Sequence, residues 1–148
     1  MSEPRLLDID NVARIGLMYL DGDAFEEVLL DRVGFVDYDF ERFNRCKIAL
    51  MKLERINPDL DVTAVLWQSK ADNHSVIIPL IAGKALPVEG WQPVLANAEQ
   101  LRALSGENGV EKQRGNRCAS HYYPIRNSDA DIIGVLELIV GGGVPTDI

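Results

Sequence analysis

The chain has 148 residues, 47% of them apolar and 7% aromatic, enough for one core of ordinary globular character without disulfides or metals. Its formal net charge is −8 and its pI about 4.7, and residues 1–61 alone carry 14 Asp/Glu against 8 Lys/Arg. Phosphate backbones and anionic bilayers repel such a chain, so the composition argues against nucleic acid and membrane as partners.

The first residues are polar and are expected to fray until Leu6. Asp8 or Asp10 is placed to cap a first helix carrying Val12, Ile15 and Tyr19 at i, i+3 and i+7. Asp21-Gly22-Asp23 interrupts it, and Asp23 with Glu26 three residues on has the form of a capping box in which an acid replaces Ser or Thr. The second helix would carry Phe25, Val28, Leu29 and Arg32 and stop at Gly34. The spacing predicts the clearest helix over 39–56, with Phe40, Phe43, Leu50 and Leu53 on one face, Ile48 and Met51 widening the stripe, and Pro58 ending it.

After Pro58 the apolar period changes from about 3.6 to 2. Residues 62–68 and 75–82 read as a hairpin turning over 70–73, with Pro79 confined to an edge or a bulge because it lacks an N–H. Residues 84–93 are irregular, 97–105 read as a short helix capped by Asn97 and stopped at Gly106, and 106–116 read as a polar, mobile loop in which Lys112, Arg114 and Arg117 cluster. The strongest hairpin signal joins 118–126 to 132–140 through Asn127-Ser128-Asp129-Ala130. Its second strand is apolar on both faces, as a central strand is, with Glu137 its one charge. Helices followed by strands predict an α+β domain: an antiparallel sheet of about five strands with N-terminal helices packed on it. A helical part (1–61), a sheet part (62–140) and a linker-like tail (141–148) then make up a single domain, 1–148.

The segment Tyr123-Pro124-Ile125-Arg126, a polar turn, then Ile132-Ile133-Gly134-Val135-Leu136-Glu137-Leu138 resembles the closing hairpin of GAF domains, and PAS and Cache domains end similarly. The resemblance implies a curved antiparallel sheet with this hairpin at its centre. It also implies a sensor of small molecules or proteins, often dimeric and often fused to an output domain. Gly134 in that strand would let another element or a ligand approach closely. A weaker resemblance links residues 17–25, LMYLDGDAF, to the metal-binding strand end of diguanylate cyclases, where paired carboxylates hold Mg²⁺. The later Gly-Gly-Asp/Glu-Glu-Phe motif of that family is missing, and Gly141-Gly142-Gly143 runs into Val144-Pro145.

No residue set reads as catalytic or as a metal centre. Cys118 and His121 form C-x-x-H, too few ligands for a metal site, and three residues apart on a strand they face opposite ways. Cys46 fits a core position on a helix face, no G-x-S-x-G elbow or phosphate loop occurs, and the residues name no cofactor. The two cysteines form no close pair, no basic-apolar-small leader opens the chain, and apolar runs such as 77–82 fall far short of the ~20 residues of a membrane helix. A reducing cytoplasm with both thiols free is the expected setting. The candidate binding set is aromatic: Trp67 and Tyr123 as apolar walls, with His121 or Arg126 as polar anchor and Trp91 as a further wall, under a cover formed by 84–117.

The expected function is a regulatory sensor or interaction domain of a signalling protein, binding a small ligand or partner without catalysis, as a homodimer with an output domain following 141–148. The alternatives are a degenerate cyclase-like or other enzyme domain using Asp21 and Asp23, favoured if a strand precedes Asp21, and a structural dimerisation module, favoured if the interior is filled.

Overall fold

A computed structural model describes residues 4–32, 40–70, 73–82, 94–115 and 118–141. Three helices open the chain: α1 (Pro4–Tyr19), α2 (Gly22–Arg32) and α3 (Phe40–Leu53). They are followed by β1 (Val62–Lys70), β2 (Asn73–Ala82), β3 (Val94–Leu95), α4 (Ala98–Leu104), β4 (Val110–Gln113), β5 (Cys118–Arg126) and β6 (Ile132–Gly141). Among the described residues all strands join one antiparallel sheet in the order β3-β2-β1-β6-β5-β4, so the class is α+β, with six strands there where the sequence suggests about five. The two long hairpins meet through β1 and β6, paired from Val62 with Val140 to Gln68 with Gly134.

The pleat separates two apolar layers. Val62, Ala64 and Leu66 of β1, Tyr123 and Ile125 of β5, and Ile133, Leu136 and Leu138 of β6 pack under α1, α2 and α3, which contribute Ile9, Val12, Ala13, Phe25, Cys46, Leu50 and Leu53. On the opposite face Val65, Trp67, Ile77, Tyr122, Val135 and Ile139 pack with Ala103 of α4 and Val110 of β4. Strand β6 is thus covered on both faces, which is why it carries almost no polar side chain.

Several expectations change. Helix α1 begins at Pro4, so Asp8 and Asp10 lie within it rather than capping it, and its buried stripe is Ile9, Val12, Ala13 and Gly16, leaving Ile15 and Tyr19 on the outer side. On α3 Ile48 is exposed and Met51 half-buried, while Cys46, Ala49, Leu50 and Leu53 face the sheet, because the core-facing stripe is narrower than the apolar pattern. The stretch taken as a mobile loop contains β4, whose short, polar VEKQ sequence suits a sheet edge. The Gly34 stop and the irregular stretch 84–93 lie outside the described residues, as do the side chains of Phe40, Phe43, Val28 and Leu29.

Other local signals form as expected. Asn97 accepts from Gln100 N at 2.7 Å and Gln100 returns the bond to Asn97 N, a full capping box for α4, and Gly106 follows the helix with φ +113°. Pro79 sits at a register shift of the β1–β2 ladder. Glu54, after α3, accepts from Ala64 N at 2.8 Å, one residue beyond the last β1–β2 pair, Val65 with Ala82.

The Asp21-Gly22-Asp23 segment joins α2 to the sheet. Asp21 caps the helix through Ala24 N at 3.1 Å and lies 3.7 Å from Arg45. Asp23 accepts from Ser128 N at 2.9 Å in the β5–β6 turn, and that bond lowers its pKa. The cap is therefore Asp21 and not Asp23. A Cβ on Gly22 would lie 2.1 Å from the Arg126 carbonyl oxygen, so only glycine permits this approach. The residues before Asp21 are helical, so the strand-end geometry of the diguanylate cyclase resemblance is not formed.

Gly134 makes the matching close approach inside the sheet. A Cβ there would lie 2.2 Å from the Trp67 carbonyl oxygen and 3.1 Å from Phe25 Cε2. Gly134→Ala is therefore expected to lower stability by about 2–3 kcal/mol through overpacking. Urea unfolding checks this as a reduced midpoint at constant slope, and an unchanged midpoint would contradict the contact.

Candidate functional site

The strand parity that separates the core layers also separates the four candidate residues. Trp67 belongs to the α4 face, whereas Tyr123 and His121, two residues apart on β5, belong to the helical face. Arg126 is exposed at the end of β5, where its guanidinium donates to Ala130 O at 2.9 Å and braces the hairpin turn. The single pocket drawn from all four residues does not form. Trp91 lies outside the described residues.

On the α4 face the polar groups close upon one another. Glu137 is fully buried, and Tyr122 is its direct partner across β5–β6. Its carboxylate accepts from Trp67 Nε1 at 2.8 Å, from Ser120 Oγ at 2.5 Å and from the Arg114 guanidinium at 3.2 Å. Arg114 also donates to Ser120 Oγ at 3.0 Å and to the Tyr122 hydroxyl at 2.9 Å. It reaches inward from the end of β4, where its own N–H bonds to Cys118 O at 2.9 Å and closes the β4–β5 hairpin. The Arg114 side chain is 6% exposed, so it belongs to the interior and not to a solvated basic cluster with Lys112. Burial, then the Glu137 charge, raises the Tyr122 pKa. Every buried side-chain nitrogen and oxygen among the described residues has a hydrogen-bond partner.

The helical face carries an open cleft. Its floor is Tyr123, whose hydroxyl donates to Asp10 Oδ1 of α1 at 2.6 Å. Burial, with that bond, raises the Tyr123 pKa and keeps the phenol protonated. The loop between α4 and β4 closes the far side, held on β5 by Gly109 N to Tyr122 O at 3.0 Å. Gly109 has φ +73°, and a Cβ there would lie 3.1 Å from Asp10 Oδ1, so glycine meets both requirements. Asp10, Arg14, Leu17, Asn108 and Tyr123 line a volume of about 370 Å³, within the range of small-molecule sites. Asp10 and Arg14 stand one helical turn apart, and the hydrogen bond made by Arg14 runs to Asn11 Oδ1 at 2.7 Å, not to a carboxylate.

His121 lies on the same face as Tyr123, one pleat further along, and does not line the cleft. It is buried opposite Glu111 of β4, and desolvation lowers its pKa against the opposing pull of Glu111 and Asp10. Cys46 sits in the core with its thiol pushed up to about 12, chiefly by burial, and is therefore unreactive. No group of three His, Cys, Asp or Glu among the described residues could hold a metal ion, and no helix among them is long and apolar enough to cross a membrane.

Sequence reasoning missed Asp10, Arg14 and Asn108 as site residues. The available signal was the i, i+4 Asp–Arg pair on the polar side of α1, which is indistinguishable in sequence from an ordinary surface ion pair. Comparison with protein-family models and with curated proteins finds no match for this chain.

Removing one member of the buried pair strands the other. Arg114→Met is expected to cost roughly 3–5 kcal/mol. Adding Glu137→Gln should restore a large part of that loss, since glutamine keeps an acceptor for Trp67 Nε1 without the charge. Chemical denaturation of the two single variants and the double variant checks this, and strictly additive losses would mean the charges are not coupled.

His121 sets a pH dependence of definite sign. Its folded-state pKa lies below the ordinary 6.5, so the unfolded chain binds the proton more readily. The stability this confers is complete above about pH 6.5 and is lost as pH falls through the folded-state pKa. Thermal unfolding between pH 7.5 and 5 should show that decline, and His121→Gln should flatten it.

Proposed function

We propose that this chain is a regulatory sensor domain that binds a small ligand in the cleft over Tyr123 and does so without catalysis. The observation that carries the proposal is the composition of the cleft walls: helix α1, internal strand β5 and the α4–β4 loop each contribute a side chain. A ligand seated there touches both the helical layer and the sheet. It can favour one arrangement of the two over another, which is the physical requirement for a sensor. The reading is further supported by the position of the β5–β6 hairpin inside the sheet, the arrangement that the GAF resemblance implies. An output domain following 141–148 would receive the change, and a cytoplasmic setting accords with two free thiols.

A second reading, a dimerisation module, is favoured by a separate observation. Met18 and Tyr19 of α1 and Ile48 of α3 are 80%, 55% and 52% exposed, large apolar side chains on the water-facing side of the helical layer that a second copy could cover.

A metabolite panel followed by thermal unfolding decides between them. A cleft ligand present at 100 times its Kd should stabilise the chain by about 2.7 kcal/mol, a Tm increase of roughly 5–10 °C. Asn108→Trp, which fills the cleft from an exposed position, should abolish the shift without lowering the unliganded Tm. A panel without hits, together with a concentration-dependent dimer dispersed by Met18→Glu, would replace the sensor reading with the second.

A further inference from the structure

From the charges that face the cleft we infer that its ligand is a zwitterion with an apolar substituent, the chemistry of a free α-amino acid. The inference rests on the sensor reading above and deepens it. Asp10 and Arg14 line the same small cleft and carry opposite charges, yet neither neutralises the other. The hydroxyl of Tyr123 holds one oxygen of the Asp10 carboxylate and so orients the group. Arg14 donates to the neutral amide of Asn11, which keeps its positive charge available to an incoming anion.

Leu17 and the Tyr123 ring supply the apolar part of the wall, and the Asn108 amide closes it as a polar rim. An ammonium would be met by Asp10 and a carboxylate by Arg14 one turn along α1, with charge-assisted bonds at both ends. The apolar substituent would lie over Leu17 and Tyr123. A volume of about 370 Å³ stands near the lower end of ligand sites, suiting a metabolite of this size better than a dinucleotide. A lone anion would leave the Asp10 carboxylate facing it without a cation, and a lone amine would leave Arg14 in the same position. The two charges together therefore select against each half of the ligand.

The test uses L-leucine and L-phenylalanine with the intact chain, and compares leucine with 4-methylpentanoate, which lacks the amine, and 3-methylbutylamine, which lacks the carboxylate. Calorimetric titration should give at least tenfold weaker binding for each analogue. Asp10→Asn should reduce leucine to the affinity of 4-methylpentanoate, and Arg14→Gln should reduce it to that of 3-methylbutylamine. Equal affinity for leucine and either analogue in the unaltered chain would overturn the inference, whatever the folding of the variants. So would failure of both amino acids while another compound binds in a manner abolished by Asn108→Trp, a result that leaves the sensor reading standing. If no compound of any class binds in a cleft-dependent way, both fall together.

Discussion

Strand β6 must place a carboxylate in the interior, and much of the arrangement on the α4 face follows from that constraint. Glu137 is fully buried between two neighbouring strands and beneath covering elements. An isolated charge there is untenable, so a cation has to reach it with donors for the remaining lone pairs. Arg114 can do so because the β4–β5 hairpin places it at the sheet edge with its side chain turned inward. Ser120, Tyr122 and Trp67 complete the set. The pair adds little net stability over an apolar substitute, but it discriminates between registers. A one-residue slip of β6 would transfer Glu137 to the helical face, away from every one of these partners.

The helical layer is joined to the sheet by a different kind of contact. Helix α2 is held at several points: Asp23 to Ser128 N, Asn127 to Glu26, and the Gln68 amide to the carbonyl oxygens of Phe25 and Glu26 at 2.8 and 3.0 Å. The polar join from α1 to the sheet among the described side chains is the Tyr123–Asp10 bond. Among the described side chains, the other α1 residues packed in the core beneath it are the apolar Ile9, Val12 and Ala13, whose burial is non-directional. A helix held mainly by non-directional burial can shift along its axis at lower cost than one tied by several directed bonds, so under the proposed sensor reading α1 would be the element to respond to a ligand.

The division between legible and illegible features follows the range of the interactions. Helix existence, both long hairpins, the Asn97 cap and the two-sided burial of β6 depend on patterns within some twenty residues and could be read directly. Strand β4 could not, since one apolar residue, Val110, followed by three polar ones between glycines carries no periodic signal. The sequence places Arg114 in a polar loop beside Lys112 because its partner Glu137 lies 23 residues away on another strand. Glu137 is legible in the sequence as the lone charge on an apolar strand, and that isolation is itself the sign that a cation must be recruited from elsewhere. The sequence puts Trp67 and Tyr123 in one pocket because parity can be read along a strand but not across strands. Only the observed pairing of Trp67 with Val135, and of Tyr123 with Leu136, puts them on opposite faces.

The two faces of the sheet also differ in what admitting a ligand would cost. On the α4 face an entering group must break bonds to Glu137 or Arg114 and leave a buried charge incompletely paired, a penalty of roughly 3–5 kcal/mol before any gain. The groups there are already satisfied, so a newcomer offers them nothing that they lack. Over Tyr123 the charged groups Asp10 and Arg14 are exposed to water, so a ligand of the proposed kind would exchange their hydration for charge-assisted bonds while its apolar surface and that of Leu17 left water. The closed network can thus serve as the rigid support against which the open cleft works. Tyr123 is fixed in the same strand as Ser120 and Tyr122, so the residue that meets Asp10 is anchored by the network on the reverse side. Preorganisation of this kind would let the binding energy of the proposed ligand act on α1 without being spent on ordering the site.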